Sequence, residues 1–457
     1  MASPEPRPID ALVAEIGSTT TVVSAFDGLD PDGPGPAHPA AAGPRLLGQG
    51  CAPTSVAQGD VGIGVEAARD ALEAATGPLA PAITLATSSA AGGLRMTVHG
   101  LTQKMTAMAA REAALGAGGV VEYQTAGRLR DHDLVAIDEA RPSLILLAGG
   151  VEGGDTEVIV HNATRLTHIE ARPIVVYGGN SAVAGEATRI LEEAGFRVRV
   201  TANVYPGVDE LDIVPARHVI HDAFEEHITH APGMERITQF VTGSILPTPG
   251  AVLIAAEVLA TALGDLVVVD VGGATTDVHS VTQGSPEIAA ISMDPQPHAK
   301  RTVEGDLGTF VSARHVAALL PPAERPDPLP PAIPTSPGEI AAAATLARVA
   351  AITAVQRHAG QLAHLYTPKG RQTVARGRDL TACRLLVGTG GALTRLPGGE
   401  AILEATRSAA SATERLLPPA DARVTLDRDY VMAACGALSR HFPPEAVIAL
   451  MRQSLGV

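Results

Sequence analysis

Apolar and polar positions alternate between two rhythms along this chain. Short unbroken apolar runs such as Leu144 to Leu147, Ile174 to Tyr177 and Leu266 to Val271 have the length of buried strands. Between them lie longer stretches with apolar residues three or four apart, the spacing of one helix face, and this alternation predicts an α/β fold. Ala11 to Ile16 and Thr21 to Phe26 read as strands joined by the turn Gly17-Ser18-Thr19-Thr20. Arg45 to Gly50 reads as a third strand, so the chain opens on an antiparallel meander. Asp27 to Pro44, rich in Pro, Gly and Ala, is a loose excursion within it. Ile83 to Thr87 and Leu94 to Val98 read as strands around Ser88 to Gly93, followed by a helix from Thr102 to Leu115. Strands at Leu144 to Leu147, Ile174 to Tyr177 and Arg197 to Val200 alternate with helices near Glu157 to Leu166 and Ala182 to Ala194. They form a doubly wound segment near 142–205.

The second half restarts the opening pattern. Leu266 to Val271 runs into Gly272-Gly273-Ala274-Thr275, then Thr276 to Val281, with Glu287 to Ile291 as the expected third strand. The restart suggests duplicated halves, 9–245 and 246–457, the first carrying the doubly wound segment. Pro321 to Pro337 reads as an exposed connector and Gly338 to Leu365 as helix. Arg384 to Val387 reads as a strand entering Gly388-Thr389-Gly390-Gly391.

Composition narrows the function. The 457 residues carry a net charge of -15 with only 2% aromatics and no Trp, which excludes a general nucleic-acid binder with stacking platforms. Cys51, Cys383 and Cys435 are far apart, as expected of small buried residues in a reducing compartment. Val252 to Ala274 is interrupted by Glu257, Asp265 and Asp270, and Met1 to Asp10 has no apolar run, so neither a membrane span nor a secretory leader is expected. These features place the protein in the cytoplasm. His161, His168, His218, His221, His227 and His230 lack a Glu-x-x-His signature and read as surface histidines.

The chemistry-bearing motifs are Glu15-Ile16-Gly17-Ser18-Thr19-Thr20-Thr21 and Asp270-Val271-Gly272-Gly273-Ala274-Thr275-Thr276-Asp277. In each, a strand ends in a carboxylate and small residues then let backbone amides and hydroxyls approach an anion. One such turn is commonly a tight hairpin; two in register, facing across a cleft, suit β- and γ-phosphates, with the carboxylates holding magnesium through its waters. Leu385 to Leu393 adds a glycine turn between a buried strand and a helix, where adenosine would lie against backbone.

These three motifs resemble the phosphate-1, phosphate-2 and adenosine motifs of the actin, hexokinase and heat-shock-chaperone ATPase superfamily. The wider sequence, through Ser88 to Met96, Leu147-Ala148-Gly149-Gly150, Asp265 to His279, Lys300 to Gly308 and Gly388 to Gly391, is similar to one branch of it, the glutamate mutase accessory family (MutL), over about Leu12 to Leu455. The resemblance implies two actin-like, ribonuclease-H-like lobes around a nucleotide cleft that binds ATP with Mg2+. It implies Glu15 and Asp270 as the catalytic and magnesium-side carboxylates. Gly17, Ser18, Thr19, Thr20, Gly272, Gly273, Ala274 and Thr275 would lie at the phosphates, and Gly388, Thr389, Gly390 and Gly391 at the adenosine. Lys300 to Gly308 reads either as a solvated charged helix start or as a helix bringing Lys300 or Arg301 to the nucleotide and Glu304 to the ribose. The superfamily usually has Asp where this chain has Glu15, and the extra methylene displaces the carboxylate by about one C–C bond, which points to slow turnover. Ser88 to Met96 reads either as a plain β-turn or as a loop against a partner or phosphate. The implied role is accessory, as chaperone or reactivating factor, to an adenosylcobalamin-dependent mutase such as glutamate mutase, the cobalamin belonging to that partner. A small-molecule kinase is the alternative and a nucleotide-gated assembly module the third reading; oligomeric state, a homodimer included, stays open.

Overall fold

The structure, a computed structural model, describes residues 5–29, 43–90, 94–231, 233–367, 370–408 and 414–457. It is mixed α/β and divides into two compact units, Met1–Ala251 and Val252–Val457.

The first unit opens on β1 (Arg7–Ile16), β2 (Thr20–Asp27) and β3 (Arg45–Pro53), an antiparallel meander. Asp60 caps α1 (Val61–Thr76), accepting the Gly62 amide at 2.8 Å, and the helix buries Val61, Val65, Ala68 and Leu72. β4 (Leu79–Ser88) then returns parallel to β1.

A second sheet follows: β5 (Leu94–Gly100), α2 (Thr106–Gly116), β6 (Gly119–Ala126), α3 (Asp131–Ala140), β7 (Leu144–Leu147), α4 (Glu157–Leu166), β8 (Ile174–Tyr177), α5 (Ala184–Glu193) and β9 (Arg197–Val200). Its strands are all parallel in the order β6-β5-β7-β8-β9. Alternate residues of β7 and β8 enter two different cores. Leu144, Leu146, Ile174 and Val176 join one, Ile145, Leu147, Val175 and Tyr177 the other. That is why these strands read as continuous apolar runs, since both faces of a doubly wound sheet are covered. α6 (Val214–Ile228) and β10 (Ile245–Pro247), parallel to β4, complete the first sheet as β10-β4-β1-β2-β3.

After α7 (Thr248–Leu263), the second unit builds β11 (Leu266–Val271), β12 (Thr276–Val281), the short α8 (Pro286–Ala289) and β13 (Ala299–Glu304). α9 (Ala313–Ala318), α10 (Pro337–His358), β14 (Gln361–Thr367), β15 (Gly370–Arg376) and β16 (Leu385–Thr389) come next, then α11 (Gly391–Thr394), α12 (Gly399–Glu404), β17 (Arg423–Leu426), α13 (Met432–Leu438) and α14 (Pro444–Leu455). The sheet runs β13-β12-β11-β16-β17. Read from its other edge this is the first sheet's order: an antiparallel three-strand meander, a fourth strand parallel to the first, and a fifth parallel to the fourth. α10 is long and apolar enough to cross a membrane by length and composition alone, and its Leu346, Ala347, Ala350, Ala351, Ala354 and Val355 pack in the core of this unit.

Three expectations are corrected. Glu287 to Ile291 is not the third strand: Pro286 opens a helical turn there, and β13 takes the place in the meander. Lys300 to Gly308 is therefore strand at its start, not helix. The helix expected to reach Leu365 stops at His358, and Gln361–Thr367 pairs with Gly370–Arg376 as a hairpin. Of Ser88 to Met96, Ser88 closes β4 and Leu94 to Met96 open β5 in a different sheet, while Ala91, Gly92 and Gly93 between them fall outside the described residues, as does 30–42 of the Pro-rich excursion.

His99 is fully buried on β5, between the Thr97 hydroxyl at 3.0 Å and the Thr125 hydroxyl at 2.9 Å. Burial lowers its pKa to about 4 against an opposing pull from Asp133. The unfolded chain, titrating near 6.5, binds this proton first, so the contribution is intact above that value and lost as pH falls towards 4. Between pH 7 and 4.5 the loss is about 2–3 kcal/mol. Urea unfolding at the two pH values should show His99→Gln losing less stability than the native chain by that margin; identical losses contradict this.

Candidate functional site

Each meander turns at the small residues between its first two strands, and the two turns share one internal bond. The Gly17 amide donates to the Thr20 carbonyl at 3.0 Å, and the Gly272 amide to the Thr275 carbonyl at 2.9 Å. In the first turn, Thr54 pins the backbone: its hydroxyl lies 2.9 Å from the Gly17 carbonyl and its amide donates to Thr19 at 2.9 Å. Ser18 and Thr19 are exposed, and Glu15 is half-buried at the end of β1.

The second turn is held more completely. The carbonyls of Gly272 and Gly273 accept from the amides of Thr309, Phe310 and Val311 at 3.1, 2.9 and 2.8 Å, and Ser312 Oγ lies 3.0 Å from the Ala274 carbonyl. This segment approaches because Gly308 has no side chain; a β-carbon there would fall 2.4 Å from the Ala274 carbonyl oxygen. With the carbonyls drawn back, the amides of Gly273, Ala274 and Thr275 have no acceptor among the described residues. Adjacent amides presented this way form an anion-binding concavity. Beside them, the Thr275 hydroxyl donates to Asp277 Oδ2 at 3.1 Å, and Arg301 Nε binds Asp277 Oδ1 at 2.7 Å.

The glycine turn after β16 meets this one. β16 lies parallel beside β11 with Thr389 opposite Asp270. Gly390 has φ +83°, and a β-carbon on it would sit 2.3 Å from Asp270 Oδ1 and 2.7 Å from the Val271 nitrogen. The Asp270 carboxylate thus rests on the bare backbone of the 388–391 turn, next to buried Gly388 and exposed Gly391, where α11 starts. Behind Thr389 is an acid the sequence reading missed. Asp427, wholly buried, accepts from the Thr389 hydroxyl at 3.0 Å, the Val431 and Met432 amides at 3.0 Å each and Ser454 Oγ at 2.7 Å. Burial pushes its carboxyl upward despite these donors. Its position, at a strand end just before a helix, was the available signal.

The remaining candidates are placed as follows. Glu304 lies opposite Thr276 at the end of β13 and is bound by Arg357 at 2.7 Å, as is Asp306, whose carboxyl the guanidinium holds below its usual range. Lys300 reaches Gln296 at 3.0 Å, and Arg301 is buried against Asp277. His221 is buried on the inner face of α6 rather than at the surface, because that helix packs Ile220, Phe224 and Ile228 inward; Cys51 is exposed, whereas Cys383 and Cys435 are buried. Among the described residues no group of three or more His, Cys, Asp and Glu could hold a metal directly. Magnesium that keeps its waters asks only for outer acceptors, and half-buried Asp270 beside outward amides and bare backbone fits that demand.

Residues 11–455 match the family described as MutL protein. The protein named "Protein MutL" of Clostridium tetanomorphum is 37% identical over 390 residues, covering 79% of this chain and 84% of its own length. Among solved structures, a nucleotide-free acetone carboxylase, titled for ATP-dependent acetone carboxylation, overlaps 94% of this chain and 70% of its own at 13% identity. Its TM-score is 0.36, too loose an overlap to carry fold or function.

The approach of Gly390 to Asp270 makes a direct stability prediction. Gly390→Ala should lower the unfolding free energy by about 1–3 kcal/mol, as over-packing does, while Gly391→Ala, which meets nothing within 4 Å, stays within about 0.5 kcal/mol of the native chain. Chemical denaturation of both variants checks this; equal effects contradict it.

Proposed function

The chain belongs to the MutL (glutamate mutase L) family, and from that premise we propose that it is a cytoplasmic magnesium-ATP-binding protein serving an adenosylcobalamin-dependent mutase such as glutamate mutase as chaperone or reactivating factor. The observation carrying the proposal is the meeting of the second turn, with its outward amides, and the Gly388 to Gly391 backbone at Asp270. Amides suit phosphate oxygens, Asp270 suits a water of hydrated magnesium, and side-chain-free backbone suits the flat face of adenosine. The repeated strand order in the two units supports an actin-like reading, with the Glu15 turn as the first unit's counterpart.

In this reading, nucleotide state changes affinity for the mutase, which requires that the mutase bind the ATP and ADP forms unequally. Hydrolysis is slow, because Glu15 sets its carboxylate one methylene beyond the usual Asp.

The test compares ATP binding by the native protein and Asp270→Ala, then pull-down of a cobalamin mutase with ATP, ADP and no nucleotide. ATP affinity falling by roughly tenfold or more in the variant, and mutase capture differing between nucleotide states, support the proposal. Native ATP affinity in Asp270→Ala removes the site. Equal mutase capture in all three states removes the accessory role, and ATP consumption that requires a small-molecule acceptor replaces it with a kinase.

A further inference from the structure

The two turns differ at one position that their shared frame makes comparable. Val22 pairs with Glu15 across β1 and β2, and Asp277 pairs with Asp270 across β11 and β12. An apolar residue therefore stands in the first turn where the second has a carboxylate.

That carboxylate is buried with a partner. Arg301, on β13 diagonally across from it, sets both Nε at 2.7 Å and Nη2 at 2.5 Å on Asp277 Oδ1. The side chains of Arg301 and Asp277 are only 1% and 7% exposed. A guanidinium is a rigid planar fork, so seating it on one oxygen fixes the carboxylate plane and leaves Oδ2 in one orientation. The Thr275 hydroxyl donates to that oxygen.

A hydroxyl has one proton and two lone pairs. With its proton committed to Asp277, the Thr275 hydroxyl has only lone pairs left for a further partner. An ionised phosphate oxygen also offers only lone pairs and cannot be gripped there; a water molecule, which has protons to donate, can.

We propose that Arg301 is a positioning residue which, through Asp277, holds Thr275 as a hydrogen-bond acceptor for the water molecule that attacks the γ-phosphate. The inference rests on the magnesium-ATP reading above and adds a division of labour to it: backbone amides bind phosphate, and the Thr275 side chain orients water. In the step served, the water oxygen bonds to the γ-phosphorus as the bond from that phosphorus to the β–γ bridging oxygen breaks. The products are ADP and inorganic phosphate, and the proton released goes to solvent. Thr275 keeps its own proton.

The experiment measures equilibrium ATP affinity and single-turnover hydrolysis in the full chain with magnesium. It compares the native protein, Thr275→Val, Thr275→Ser, and the paired replacement Arg301→Met with Asp277→Asn, which removes both charges. Affinity should stay within about threefold of native in all of them, while hydrolysis falls by roughly tenfold or more in Thr275→Val and in the paired variant and persists in Thr275→Ser. Thr275→Val leaves the buried pair in place, so the split between affinity and rate is read even where the paired variant melts early.

Thr275→Val losing affinity and rate in equal proportion would make the hydroxyl a phosphate donor and overturn the inference. So would native turnover in a folded paired variant, or a native protein that binds ATP without hydrolysing it. A native protein that binds no ATP fails earlier and overturns the nucleotide reading itself.

Discussion

The second unit's site depends on the absence of one methyl group. Asp270 is the penultimate residue of β11, and its carboxylate occupies space that a β-carbon on residue 390 would claim. The parallel pairing of β11 with β16 delivers Gly390 to that place, and its φ of +83° turns the chain away before α11 begins. Everything around the contact keeps it in register. Thr389 is tied to Asp427, which also holds the start of α13 and Ser454 of α14, and the facing turn is pinned by the 309–312 backbone.

The two units solve the same topological problem at different scales. Their fourth and fifth strands are parallel, and parallel neighbours need a crossover. Between β16 and β17 that crossover contains the short helices α11 and α12. Between β4 and β10 it contains a whole five-stranded parallel sheet with helices α2 to α6. The turns differ as well: Glu15 stands opposite Val22 where Asp270 stands opposite Asp277, and Asp277 is held in a buried ion pair with Arg301.

Elements with a single strong signal were legible in the sequence. β7, β8, β9, β11 and β12 fall at the expected residues, as does α4; two-sided burial writes the continuous apolar runs of β7 and β8, and a glycine turn punctuates β11 and β12, whereas β9 is a mostly exposed edge strand. β13 was not legible. Ala299–Glu304 carries Lys300, Arg301 and Glu304, which look like a solvated helix start, and only the partners Asp277 and Arg357 explain charged residues on a strand. The two glycine motifs were legible as motifs, but the meeting of Gly390 with Asp270 depends on strand pairing between residues 119 apart in sequence, from Leu266 opposite Leu385 to Asp270 opposite Thr389. Asp427 was hidden for the same reason, since its donors come from β16, α13 and α14.

The most direct measurement is backbone hydrogen–deuterium exchange of the full chain with and without magnesium-ATP. The account predicts slowed exchange in 272–275 and 388–391, where amides and bare backbone would meet phosphate and adenosine, with a matching effect in 17–20. ATP binding that leaves 272–275 and 388–391 unprotected while protecting other segments would contradict it.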